Sequence, residues 1–125
     1  MKITILDDNE AVLRTITAAL KQLGYAATGF TSPAELEDFV SRNRDVSLMI
    51  FDQLLESADS GWNIARAMRE KFALQIPVLM VTAYPGADLV SEITRSDFAQ
   101  LLTKPFGLQA LADSVQQSLT PAADH

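Results

Sequence analysis

Val46-Ser47-Leu48-Met49-Ile50-Phe51, closed at once by Asp52, is the stretch that decides how this chain folds. Six residues with one small polar member and no alternation read as a strand apolar on both faces, and such strands belong to parallel sheets sandwiched between helices. Pro77-Val78-Leu79-Met80-Val81, ending at Thr82, repeats the pattern downstream. Ile3 to Leu6, ending at Asp7-Asp8, is a shorter version upstream. Tyr25 to Phe30 and Gln100 to Thr103, the latter followed by Lys104, are weaker strand candidates.

Helical spacing fills the intervals. Val12, Ile16, Ala19, Leu20 and Leu23 share one face and stop at Gly24, a helix-ending residue. Ser32-Pro33-Ala34-Glu35 is a helix start, with Ser as cap, Pro in the first turn and Glu three residues after Ser; Leu36, Phe39 and Val40 form its buried stripe. Gly61 opens a third helix with Ile64, Ala65, Met68 and Phe72 inward and Trp62 as packing, after a loop over Gln53 to Ser60. A fourth helix covers roughly 88–95, and Leu108, Leu111, Ala112, Val115 and Leu119 line a fifth. Five strand–helix units in alternation predict an α/β fold, a doubly wound (βα)5 three-layer sandwich. The flavodoxin-like strand order 2-1-3-4-5 suits it. At 125 residues the chain is one domain by the prior of about 150 residues each. That domain is expected over residues 1–119, with 120–125 as a tail or the start of a linker.

Composition removes whole classes of chemistry. There is no cysteine, and the single histidine is the terminal His125, so disulfides, thiolate catalysis, zinc–thiolate sites and histidine-based acid–base work are excluded. Ten basic against 16 acidic residues leave a net charge of −6, the wrong sign for a direct nucleic-acid surface. No run is long and apolar enough for a membrane span, and the N-terminus lacks the pattern of a signal peptide; a cytoplasmic protein is expected.

The polar residues at the strand ends are not scattered. In an open parallel sheet ligands bind beyond the carboxyl ends of the strands, at the switch in strand order. With order 2-1-3-4-5, Asp7, Asp8 and Asp52 converge there, and Thr82 and Lys104 stand at the rim. Three neighbouring carboxylates stay ionised together only when cations compensate them. Lys104 is one. A hard divalent ion with oxygen ligands is the natural second, best Mg²⁺, with Mn²⁺ as a substitute. Mg²⁺ takes only one or two protein carboxylates beside a phosphate, which frees Asp52 to attack phosphorus and form an acyl phosphate.

At this point the chain clearly resembles the receiver domain of two-component response regulators. The resemblance runs from about Lys2 to Leu119 and rests on Asp7-Asp8, Asp52, Thr82-Ala83 and Lys104-Pro105-Phe106, in order, each after the right strand. It implies that Asp52 is the phosphoacceptor, served by a phosphohistidine of a histidine kinase or phosphotransfer protein. Asp7, Asp8, Asp52 and the backbone carbonyl of Leu54 would hold Mg²⁺. Thr82 would contact the phosphoryl group and shift on activation, Lys104 would pair with it, and Lys104–Pro105 would be cis. The domain would be no enzyme beyond catalysing its own phosphorylation and dephosphorylation. Its output would be the surface of the fourth helix, fifth strand and fifth helix, offered to a downstream protein or a second copy.

The chain departs from the family pattern in three places. Members often carry Pro four and Gly eight residues after the acceptor; here Glu56 and Ser60 stand there and the glycine comes at Gly61, so the loop holds one extra residue. Leu101 occupies the place of a frequent Tyr or Phe, which leaves Tyr84 as the ring near Thr82. The glycine usual before the fifth strand is missing, with Asp97 near that place. Leu54 and Tyr84 fall on the two positions that tune acyl-phosphate lifetime in the family, and both are bulky enough to hinder an attacking water. The alternative reading is a degenerate receiver that binds partners without phosphorylation. An aspartyl phosphohydrolase is disfavoured, because position 54 carries no acid and no cap-sized insertion exists.

Overall fold

A computed structural model of the chain describes residues 1–55 and 59–120. Five strands alternate with five helices: β1 (Lys2–Leu6), α1 (Glu10–Gln22), β2 (Ala26–Phe30), α2 (Pro33–Arg42), β3 (Val46–Asp52), α3 (Gly61–Lys71), β4 (Val78–Thr82), α4 (Ala87–Arg95), β5 (Ala99–Thr103) and α5 (Leu108–Leu119). The strands form one parallel sheet in the order β2-β1-β3-β4-β5, as the apolar runs predict. Element bounds differ from the sequence reading by one or two residues, the ordinary scatter of strand and helix ends. Glu56 and residues 121–125, with them the loop-insertion reading and most of the expected tail, lie outside the described residues.

Three helices start on a side-chain cap, and the first stops at a glycine. Asn9, Ser32 and Ser60 accept from the amides of Val12, Glu35 and Asn63 and so cap α1, α2 and α3. Gly24 takes φ +97° just past α1, and the amides of Gly24 and Tyr25 turn back to the carbonyls of Lys21 and Leu20. That left-handed step is cheap only for glycine.

The sheet divides the interior in two. Ile3, Ile5, Leu48, Ile50, Leu79 and Val81 face α1 and α5, where Leu13, Ile16, Leu20, Leu111 and Val115 meet them. Leu6, Met49, Phe51, Val78 and Met80 face the other way, onto Leu36, Trp62, Met68, Leu89 and Ile93 of α2, α3 and α4. Val46 belongs with this second set although Leu48 belongs with the first. The cause is a register shift: Lys2 pairs with Val46 but Ile3 pairs with Leu48, so Ser47 is skipped and the pleat changes phase. Fully burying one such aliphatic or aromatic side chain contributes about 1.5–3 kcal/mol, so these two layers hold the sheet rigid beneath its carboxyl edge.

Candidate functional site

Strand register delivers the polar residues to one place. Leu6 lies opposite Phe51, so the next residues of β1 and β3, Asp7 and Asp52, emerge side by side. Asp52 pairs with Val81, which sets Thr82 one step further along β4, and Thr82 pairs with Thr103, which sets Lys104 one step beyond β5. Main-chain bonds continue the ladder: Lys104 N–H donates to the Thr82 carbonyl at 2.8 Å and Gln53 N–H to the Val81 carbonyl at 3.1 Å. The Lys104–Pro105 peptide is cis.

The carboxylates are shielded from water. Asp7 is 2% exposed and Asp52 8%, and Thr82 is buried with them. The Lys104 ammonium sits between the first two, 3.6 Å from Asp7 Oδ2 and 3.5 Å from Asp52 Oδ1. Asp7 Oδ1 also accepts from the Asn9 amide at 2.9 Å. Burial pushes the Asp52 carboxyl above its ordinary range, and the charge of Asp7 pushes it further. The charge and hydrogen bond of Lys104 and the Leu54 amide pull the other way without cancelling the rise. One lysine therefore under-compensates the pocket.

Asp7, Asp8 and Asp52 each offer a carboxylate oxygen, and these oxygens lie within 4.8 Å of one another. An all-oxygen set that lacks positive charge fits a hard divalent cation, and Mg²⁺ before a soft transition metal.

Leu54 and Tyr84, two residues past Asp52 and Thr82, are both exposed. Leu54 is 67% exposed, and its amide bonds the Asp52 carboxylate. Tyr84 is 87% exposed, so its ring, expected near Thr82, lies in solvent. Leu101 is half-buried on the α2–α4 face of the sheet.

The model of the response regulator receiver domain matches residues 3–116. The chain belongs to that family. Its receiver fold is 31% identical over 122 residues to the chemotaxis protein CheY of Pseudomonas aeruginosa, covering 94% of both. It is 29% identical to the transcriptional regulatory protein HprR of Escherichia coli, but spans only 52% of that longer protein. Among solved structures, Vibrio cholerae chemotaxis protein CheY4 superposes with a TM-score of 0.85 at 21% identity, covering 94% of this chain and 98% of that one. The receiver domain of the hybrid histidine kinase CckA gives 0.79 at 21% identity, covering 96% and 100%. A receiver is a signalling domain and not a conventional enzyme. Among the described residues of this receiver, no helix is long and apolar enough to cross a membrane.

Two residues of the site escaped the sequence. Gln53 Oε1 accepts from the Trp62 amide at 2.9 Å and so satisfies a free donor at the start of α3. Nothing in the spacing of 53 and 62 marks that pair. Gly61 was visible as a helix opener, but its reason is contact: a Cβ there would lie 1.9 Å from the Asp52 carbonyl oxygen. β3 and α3 touch backbone to backbone.

Proposed function

We propose that this receiver is a phosphorylation-controlled switch of a two-component phosphorelay, in which Asp52 accepts a phosphoryl group from a phosphohistidine of a histidine kinase or phosphotransfer protein. The observation that carries this reading is the buried pair Asp7 and Asp52 bridged by Lys104, with Asp8 beside it, at the carboxyl edge of the sheet. An Asp52 Oδ lone pair attacks phosphorus; the new O–P bond forms as the donor N–P bond breaks, and the electron pair returns to the imidazole, which takes up a proton. Asp7, Asp8, Asp52 and the Leu54 carbonyl would hold Mg²⁺, or Mn²⁺ in its place. Bound there, the ion supplies charge neutralisation to the phosphoryl oxygens. Lys104, already paired with Asp52, would share that role and pair with the group. The Thr82 hydroxyl donates to a phosphoryl oxygen. Leu54, two residues past Asp52, crowds the line along which water would attack and so lengthens the life of the acyl phosphate; Tyr84, expected to share that role, holds its ring out in solvent and does not.

The phosphoryl group adds about −1.5 to −2 charge and three acceptor oxygens. Drawing Thr82 and Lys104 onto it shifts the surface of α4, β5 and α5, which meets a downstream protein or a second copy. The test is incubation with acetyl phosphate and Mg²⁺. A mass gain of one phosphoryl group in the native chain, absent in Asp52→Ala and on chelation, supports the reading. No gain in the native chain under conditions that label another receiver sinks it and leaves a receiver that works through partner binding alone.

A further inference from the structure

Resting on the phosphoacceptor reading, we propose that Trp62 couples the Asp52 site to α4, passing the state of the acceptor from the first turn of α3 to Glu92. The mechanical link begins at the acceptor itself. Gln53 follows Asp52 directly and grips α3 twice: its carbonyl accepts from Gly61 N–H at 3.0 Å, and its side chain accepts from Trp62 N–H at 2.9 Å. Gly61 rests on the Asp52 carbonyl with no room for a Cβ. A movement of the peptide joining residues 52 and 53 therefore moves the start of α3.

The indole carries that movement across the fold. Trp62 is 3% exposed, and its Nε1–H donates to Glu92 Oε1 at 3.2 Å, joining α3 to α4. Its ring stacks on Phe98, at the entrance to β5, with centroids 5.6 Å apart and planes 8° from parallel. Cations brace both rings. Arg66 lies 5.7 Å from the Trp62 ring and 3.6 Å from Glu92; Arg69 lies 3.8 Å from the Phe98 ring and donates to the Ile76 carbonyl at 2.9 Å. A buried, flat, braced side chain with a single polar bond to α4 transmits displacement instead of absorbing it. Leu101 offers no hydroxyl or ring for this purpose. Coupling of this kind is reciprocal, so a change at Glu92 alters how tightly the pocket holds a phosphoryl mimic.

The first arm of the test needs no phosphorylation. Amide hydrogen exchange of α4 is measured in the native chain, in Gln53→Ala, and in both forms again with Trp62→Phe, which keeps a ring and removes the donor to Glu92. Gln53→Ala is expected to speed α4 exchange about fivefold, the worth of one ordinary hydrogen bond, and to have no such effect once Trp62 is Phe. Exchange that Gln53→Ala leaves unchanged, or speeds equally in both backgrounds, overturns the coupling. Should Trp62→Phe misfold, the half-exposed Glu92→Ala breaks the same bond from the other end. The second arm uses Trp62, the chain's single tryptophan, as a fluorophore. At full phosphoryl mass gain its emission is expected to shift, and the shift to fall by half or more in Glu92→Ala. Unmoved emission at full mass gain overturns the coupling and leaves Asp52 as acceptor. An absent mass gain overturns the acceptor reading, and the coupling then stands or falls on the exchange arm.

Discussion

Replacing Gly61 with alanine puts a methyl carbon 1.9 Å from the Asp52 carbonyl oxygen and 2.8 Å from its carbonyl carbon. Real contacts of this kind stay beyond 3.0 Å, so the start of α3 and the end of β3 must part by over 1 Å. The strand cannot give, since Asp52 is paired with Val81 in the middle of the sheet. The helix gives instead, and the bonds from Gly61 N–H and Trp62 N–H to Gln53 stretch with it. Overpacking costs about 1–3 kcal/mol, and each weakened bond about 0.5–1.5 kcal/mol. Against this, alanine in place of glycine gains about 0.4–1 kcal/mol by restricting the unfolded chain. Taken at the middle of each range, the net expectation is about 3 kcal/mol of destabilisation. With roughly 2.1 cal/mol/K of unfolding entropy per residue, that lowers the melting temperature by about 11 °C. Thermal melts by circular dichroism, paired with acetyl-phosphate labelling, read both the loss and the misplacement of Asp52. Gly107→Ala is the control, because no atom lies within 4 Å of its added Cβ. A Gly61→Ala melting temperature within about 2 °C of native would refute the reasoning, since it would mean that the contact yields freely.

Asp52→Asn is expected to abolish labelling and to raise the melting temperature at pH 7. Because burial and Asp7 lift the folded-state pKa of Asp52, its ionised form costs stability above that value, and the gain from Asn disappears as pH falls below 3.8, where the native carboxyl is protonated folded or unfolded. Melts at both ends of that range check the sign. Mg²⁺ at a hundred times its dissociation constant is expected to stabilise the native chain by about 2.7 kcal/mol, and a thermal shift that Asp8→Ala abolishes is the readout. Leu54→Asn is expected to shorten the acyl-phosphate lifetime by about tenfold, equal to roughly 1.4 kcal/mol of barrier; decay of the labelled mass with time measures it, and unchanged decay rejects the crowding argument.

The strand ends were legible because a buried parallel strand admits almost no polar residue, so Asp52 after Val46–Phe51 and Thr82 after Val78–Val81 stand out against their context. Asp7-Asp8 and Lys104 followed from the same logic once strand order was assumed. Three features were not legible. The skip at Ser47 leaves no trace in an all-apolar run, because neither face is marked by polarity. The bonds from Gln53 to Trp62 and from Trp62 to Glu92 join residues 9 and 30 apart, and no periodicity links them. The exposure of Tyr84 depends on the path of the turn between β4 and α4, where a tyrosine suits either side.

The acidic pocket draws on four strands, β1, β3, β4 and β5, whose contributions lie as far apart as Asp7 and Lys104. No piece of the chain that ends before Lys104 contains it. A nascent polypeptide carries both aspartates long before the ribosome adds the lysine that bridges them, and β5, which positions that lysine, is the last strand made. On the proposed phosphoacceptor reading, a chain interrupted before Lys104, or with β5 detached, is expected to take no phosphoryl group.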